Sequence, residues 1–291
     1  MVHAGMIHFN WMLAKRRVLN FDIRRWKVLV SLRFGRSNRA GYNRRAALGR
    51  YIVIDRRTDF DRLVAANRIL AHEDVVDAFG HVSLRHPDNP HRYVMSRSRA
   101  PELVEFDDLM EFDLDGAVIN DQGQTPYGER FIHGAIFEQR EEIMAVVHNH
   151  AYDVIPFGIT GTPLVPVIHT AATIGEEIPV WDIRDKFGDA TDMLVRNMDQ
   201  GRDLSETLGE NSCALMRGHG AVIACKSLKE AVVTSIYLKI NARILTTAMA
   251  MGTPIQLSSG EIESMSATQL SPLAMDRMWE AFCRRAGLEV T

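Results

Sequence analysis

The stretch Ala145-Val146-Val147-His148-Asn149-His150 is a short apolar run that ends in two histidines with one residue between them. If this run is a β-strand, its side chains at i and i+2 point to the same face. The imidazoles of His148 and His150 then start from Cα atoms about 6.6 Å apart. This spacing predicts two ligands for one metal ion.

A third ligand and an acidic group lie elsewhere in the chain. His219 sits between two glycines in Met216-Arg217-Gly218-His219-Gly220-Ala221, and Glu129 follows Tyr127-Gly128. Three neutral imidazoles around a divalent ion, with a position left open, form a common catalytic arrangement. Glu129 is expected in the first turn of a helix over 129–140, as a metal ligand or as a general acid and base. The alternative is that these are ordinary structural histidines and a carboxylate that favours a helix start.

Composition narrows the class of protein. The chain has 291 residues and a net charge of −3, so no global field points to nucleic acid or to an anionic membrane as a partner. Its three cysteines form no Cys-x-x-Cys pattern, which favours a reduced cytoplasm over a disulfide framework. No apolar run approaches the ~18 residues of a membrane helix. We therefore expect a cytoplasmic protein.

The chain divides into a basic extension and one domain. Residues 1–57 hold fourteen Lys and Arg against Asp22 and Asp55, and we interpret them as a basic N-terminal extension, with a disordered arm as one interpretation. Thr58-x-x-Asp61 has the form of a capping box and marks the first helix of a domain over 58–291.

Alternating or short apolar segments predict strands at 81–85, 93–95, 111–114, 213–216 and 221–225. Helices are predicted at 129–140, from Ser227-x-x-Glu230 to about 251, and at 272–286.

Several further side chains are candidates for substrate contact. Arg97, Ser98 and Arg99 lie in one polar loop and have the chemistry to clamp a carboxylate, although a solvated loop explains them equally well. His169 and His81 are candidate substrate contacts or proton carriers, with a structural role as the alternative.

The sequence resembles the class II aldolase/adducin family from about Asp59 to Glu261. The motifs that carry the resemblance are Gly80-His81-Val82-Ser83, Tyr127-Gly128-Glu129-Arg130-Phe131-Ile132-His133-Gly134, Val147-His148-Asn149-His150 and Met216-Arg217-Gly218-His219-Gly220. The resemblance implies one divalent ion (zinc, manganese or iron) on His148, His150 and His219, with Glu129 as acid and base. It also implies a three-layer α/β/α sandwich with a predominantly antiparallel central sheet, assembled as a homo-oligomer, with a tetramer favoured.

Departures from the family pattern indicate a branch. Sugar-phosphate members carry Asn where this chain has His81, and phosphate-binding residues where it has Met95–Ser98 and Tyr127-Gly128. The variant pattern, including Ile168-His169 and Asn241-Ala242-Arg243, is similar to decarboxylases of hydroxylated aromatic or muconate-type acids, such as 3,4-dihydroxyphthalate or 2-hydroxy-3-carboxymuconate semialdehyde decarboxylases. The resemblance therefore implies a metal-dependent decarboxylase of a small carboxylic acid that stabilises an enolate. An aldolase or epimerase, a non-heme iron oxygenase and a non-catalytic adducin-like module are the alternatives.

Overall fold

The computed structural model describes residues 59–119 and 121–289. The basic extension predicted over residues 1–57 lies outside the described residues.

A seven-stranded mixed sheet forms the centre of the described chain, with strand order β3-β2-β1-β4-β7-β6-β5. All neighbouring strands are antiparallel except β5 and β6, which are parallel. The predominantly antiparallel sheet predicted from the sequence is therefore confirmed. The strands are β1 His81–Arg85, β2 Arg92–Ser96, β3 Leu109–Asp113, β4 Ala145–Asn149, β5 Val180–Trp181, β6 Cys213–Met216 and β7 Gly220–Cys225.

Strand alternation separates the apolar side chains into two core clusters. Val82, Val147 and Ile223 belong to one cluster, whereas their sequence neighbours Val146 and Val222 belong to the other. Successive side chains of a strand point to opposite faces, so β4 and β7 contribute to both clusters and are buried on both faces. This explains why their sequences are continuous apolar runs. Full burial of each such Val or Ile stabilises the fold by about 1.5–3 kcal/mol.

The register of the central strands places histidines side by side. His81 of β1 is the direct partner of His148 of β4, and Val222 of β7 pairs with His148 from the other side. Directly paired residues share a face of the sheet. The pairing therefore sets His81 next to His148 at the end of β4 that precedes His150.

The predicted helices are present, and the sequence analysis missed several others. The helices are α1 Asp59–His72, α2 Arg130–Gln139, α3 Ile155–Thr160, α4 Arg184–Phe187, α5 Met198–Leu208, α6 Leu228–Met251, α7 Ser259–Gln269 and α8 Pro272–Arg285, with 3-10 turns at Pro101–Leu103, Phe106–Asp108 and His169–Ile174. The Ser227 hydroxyl accepts from the backbone N–H of Glu230 and caps α6, as predicted. Helices α3, α4, α5 and α7 were not predicted. Within residues 59–119 and 121–289, no helix is both long enough and apolar enough to cross a bilayer.

Candidate metal centre

Three imidazoles and one carboxylate from distant parts of the chain meet at one end of the sheet. Their potential ligand atoms all lie within 4.8 Å of one another, and we call Glu129, His148, His150 and His219 the histidine–glutamate cluster. Nε2 of His150 lies 3.1 Å from Nε2 of His148 and 3.1 Å from Nε2 of His219. Oε2 of Glu129 lies 3.6 Å and 3.8 Å from Nε2 of His148 and His219. The structure thus brings together the ligands and the acid that the sequence suggested.

Two glycines allow the corner that carries His219. Gly218 has φ +64°, in the left-handed region that side chains other than glycine rarely adopt. A Cβ on Gly220 would lie 1.9 Å from the backbone oxygen of Asn149, so only glycine permits this approach of β7 to β4. The hairpin between β6 and β7 therefore delivers His219 to the end of β4, where His148 and His150 are.

The Nδ1 atoms of two cluster histidines, which face away from the cluster, lie within hydrogen-bond distance of acceptor oxygens. Nδ1 of His148 lies 3.2 Å from the carbonyl oxygen of Ala221, and Nδ1 of His150 lies 3.0 Å from Oδ1 of Asp77. A carbonyl and a carboxylate only accept hydrogen bonds, so each Nδ1 carries the proton. Both Nε2 atoms then hold their lone pair toward the cluster, as metal-ligating histidines do.

This arrangement fits a divalent cation. The 3.1 Å contact between Nε2 of His148 and Nε2 of His150 joins two lone pairs, which repel unless a positive charge lies beside them. Two nitrogens bound to a tetrahedral zinc ion lie about 3.3 Å apart, close to the observed separation. Burial lowers the pKa of His148 and lowers that of His219 to about 4, so both imidazoles are in the neutral form that binds metals.

Glu129 is fixed by the backbone of a distant loop. It occupies the residue just before α2, one position earlier than the first-turn placement predicted from the sequence. Its Oε1 accepts a hydrogen bond of 3.0 Å from the backbone N–H of Val195, which leaves Oε2 on the side of the histidines. Burial raises the pKa of Glu129 to about 7, and a cation beside it would oppose that effect.

The other predicted site residues occupy different settings. His81 is buried, and its ring centroid lies 5.0 Å from that of His148. Arg97 and Arg99 donate to the two carboxylate oxygens of Asp108 at 2.7 Å and 2.6 Å, and Ser98 between them is exposed. The backbone oxygen of Arg99 accepts from the hydroxyl of Tyr127, a residue whose ring contacts His81. Tyr127 therefore links this loop to His81, whose ring lies next to that of His148.

His169 lies apart from the cluster. It is exposed at the start of a 3-10 turn, and its carbonyl oxygen accepts from the side chain of Gln269 on α7. In the described part of the chain, the group of potential ligands that meets in the histidine–glutamate cluster does not include His169.

Sequence reasoning missed four residues that support the centre. Asp77 holds His150, and the backbone of Val195 holds Glu129. Ser83 and His133 form hydrogen bonds that lead to His81. The period-2 spacing of His81 and Ser83 was a usable signal for the second pair, whereas a backbone N–H such as that of Val195 leaves no trace in the side-chain pattern.

We expect the Asp77→Asn substitution to lower metal affinity by roughly 10-fold to 100-fold. The Asp77 carboxylate orients the His150 ring and makes its Nε2 a stronger metal ligand, and asparagine does both less well. Asparagine keeps an oxygen for the backbone N–H groups of Phe79 and Gly80, both of which Asp77 now binds. Competition with a chromophoric chelator measures the effect. Asp276→Asn, at an exposed aspartate paired with Lys229, is the control. Unchanged affinity in Asp77→Asn would remove Asp77 from the centre.

The amino-acid sequence is similar to known decarboxylases. It is 33% identical over 242 residues to decarboxylase tropJ of Talaromyces stipitatus, covering 76% of this chain and 91% of that protein. It is 28% identical over 191 residues to a 3,4-dihydroxyphthalate decarboxylase of Arthrobacter keyseri, covering 60% of this chain and 73% of that one.

The fold has solved counterparts, and a family model covers most of the described domain. An L-fuculose 1-phosphate aldolase from Glaciozyma antarctica matches with a TM-score of 0.64 at 21% identity, over 78% of this chain and 89% of that chain. The model of the class II aldolase and adducin N-terminal domain matches residues 61–246, which include every member of the histidine–glutamate cluster. The chain therefore belongs to the class II aldolase and adducin family.

Proposed function

We propose that the protein is a divalent-metal-dependent decarboxylase of a hydroxylated aromatic or muconate-type carboxylic acid. The observation that carries the proposal is the convergence of three imidazole Nε2 atoms and the Glu129 carboxyl on one point. Similarity to two decarboxylases, one of them named for an aromatic hydroxy acid, supports the reaction class. A bound divalent ion supplies a Lewis acid for the electron pair that remains when CO2 departs.

The three histidines of the cluster bind the ion, and Glu129 donates a proton to the substrate carbon. Loss of CO2 breaks the bond between the carboxyl carbon and the substrate carbon and leaves the electron pair on the latter, which then takes up a proton. Glu129 is better placed than His169 to deliver that proton, because Oε1 is anchored on Val195 while Oε2 faces the histidines. The deprotonated Glu129 then regains a proton from water, so the cycle closes.

Arg97, Ser98 and Arg99 remain candidates for binding a second carboxylate of the substrate. The two guanidinium groups share one carboxylate, that of Asp108, so the group retains one net positive charge. Both arginine side chains are about one-third exposed, at 35% and 28%, and an incoming carboxylate can reach them.

The identity of the ion, the three-layer arrangement and the tetramer stay predictions of the family resemblance. The cytoplasmic location stays a prediction from the composition. Zinc, manganese and iron all accept imidazole and carboxylate ligands. Metal analysis of protein purified without added metal, and its mass in solution, test the first and third of these.

The proposed function is tested by following CO2 release under anaerobic conditions. Protein loaded with zinc, manganese or ferrous ion is incubated with ortho-hydroxy aromatic diacids, including 3,4-dihydroxyphthalate, and metal-free protein serves as the control. We expect CO2 and the decarboxylated phenol in equal amounts with the loaded protein alone. An aldehyde without CO2 would instead indicate an aldolase, and turnover that appears only with O2 would indicate an oxygenase. An absence of CO2 across the panel contradicts the proposal.

A further inference from the structure

A buried hydrogen-bonded chain leads from the sheet to the neighbour of a cluster histidine. The Ser83 hydroxyl lies 2.6 Å from Nδ1 of His133, and Nε2 of His133 lies 2.6 Å from Nδ1 of His81. Ser83, His133 and His81 are all buried. The last atom of this hydrogen-bonded series is Nε2 of His81, which is buried and has no hydrogen-bond partner among the described residues. A buried polar atom left in this way is unusual and points to a missing partner.

The number of available protons determines the donor and the acceptor in each of these hydrogen bonds. In one arrangement the Ser83 hydroxyl donates to His133, Nε2–H of His133 donates to His81, and His81 carries its proton on Nε2. In the reverse arrangement His81 donates through Nδ1, His133 donates to Ser83, and the Ser83 proton needs an acceptor. Within residues 59–119 and 121–289, that hydroxyl has His133 as its hydrogen-bond partner. The first arrangement leaves one unpaired atom and the second leaves two, so the first is preferred.

The His81 ring, which carries the unpaired nitrogen, lies beside the histidine–glutamate cluster. The His81 ring is 5.0 Å from the ring of His148, with which it pairs in register, and 4.6 Å from the ring of Tyr127. A neutral N–H next to a cation-binding group suits an anionic oxygen, because it adds a directed donor without a second full charge.

We propose that Nε2–H of His81 donates a hydrogen bond to the carboxylate of the substrate, and that His133 and Ser83 are positioning residues that fix His81 as the donor tautomer. The class of ligand, an ortho-hydroxy aromatic acid, is taken from the proposed function. The donor tautomer of His81 is needed because the opposite tautomer would direct a nitrogen lone pair at the carboxylate and repel it. A chain of two neutral hydrogen bonds sets this choice without any change of net charge.

The test compares two ligands that differ by one carboxylate. Binding of 2,3-dihydroxybenzoate and of catechol is measured by calorimetry on zinc-loaded protein in a Glu129→Gln background, which keeps the acid unconverted. We expect His81→Phe to reduce the affinity ratio of the acid over catechol by at least 10-fold, with zinc content unchanged. His81→Gln, which keeps an N–H donor near the Nε2 position, should restore the ratio to within about 5-fold. A ratio that is unchanged in His81→Phe overturns the proposal.

The positioning residues have their own readout. His133→Phe should lower the same ratio about as much as His81→Phe does, and Ser83→Ala should lower it 3-fold to 10-fold. His91→Phe, at an exposed turn histidine, should leave it unchanged. In protein labelled with 15N-histidine, we expect Nε2-protonated rings at His81 and His133, and a mixture of tautomers in Ser83→Ala. A His81 ring protonated on Nδ1 in the parent protein overturns the proposal.

Failure of this proposal and failure of the proposed function give different results. A carboxylate-dependent ratio that falls in His81→Phe, without CO2 release from any acid, contradicts only the decarboxylase activity. CO2 release combined with an unchanged ratio contradicts only the role of His81.

Discussion

The His150→Ala substitution is expected to lower metal affinity by roughly 100-fold to 1,000-fold and to abolish CO2 release. Structural zinc sites of four ligands bind with about 10–16 kcal/mol, so one ligand accounts for about 3 kcal/mol. His150 is the suitable ligand to remove, because its Nε2 contacts those of both other histidines and its side chain is 15% exposed. Truncating this partly exposed side chain also leaves a smaller cavity than truncating the fully buried His148. Elemental analysis after gel filtration and chelator competition measure the loss.

His86→Ala is the matched control for this substitution. His86 is also half-buried, and its imidazole lies 4.0 Å from a carboxylate oxygen of Glu111, but it does not belong to the histidine–glutamate cluster. We expect one equivalent of metal and full activity in this variant. One equivalent of metal bound at parental affinity in His150→Ala would place the ion elsewhere in the protein.

The arrangement of the cluster could be predicted because its signals are local. The His-x-His spacing fixes two imidazoles on one strand end, and glycines on both sides of His219 signal a tight corner. Both signals depend on backbone geometry that a few residues determine. The structure adds the reason that glycine is needed at 220, which is the oxygen of Asn149 on the neighbouring strand.

Two of the missed helices have features that made them hard to predict from the sequence. Helix α5 carries Gly201 in its interior, which weakens a helix by up to about 1 kcal/mol relative to alanine. A Cβ on residue 201 would lie 2.5 Å from the backbone oxygen of Phe131, so close packing of α5 on α2 explains the glycine. Helix α7 has little apolar periodicity and buries only Gln269. Tertiary packing explains the glycine of α5, whereas the capping box of Ser258 and Glu261 at the start of α7 is a local signal that the sequence analysis did not use.

The supporting contacts of the centre could not be predicted because they join residues far apart in sequence. Asp77 reaches His150 across 73 positions, and the N–H of Val195 reaches Glu129 across 66. Neither pair has a spacing that a strand or a helix would impose. Only the assembled sheet, which brings the loop after α4 and the segment before β1 to the end of β4, puts these groups in contact.

The Glu129→Gln substitution is expected to lower the rate of decarboxylation by roughly 100-fold to 10,000-fold while the protein keeps its metal. Glutamine has the same shape as glutamate, and its Oε1 can still accept from the backbone N–H of Val195. The substitution removes the ionisable carboxyl group, so the reacting carbon loses its proton donor. The three imidazoles remain, and we expect metal content near one equivalent. Single-turnover measurement of CO2 and of metal content on the same sample separates the two effects.

Glu138→Gln, on the helix that Glu129 precedes, controls for the change of charge. Glu138 pairs with Arg202 away from the histidine–glutamate cluster, so its replacement should leave turnover within 2-fold of the parent protein. If Glu129→Gln loses its metal, Glu129 is chiefly a ligand and the proton comes from another group. If it keeps both metal and rate, Glu129 has no part in the reaction. A large loss of rate at full metal content, confined to the residue whose Oε2 faces the histidines, is the result that assigns proton transfer to Glu129.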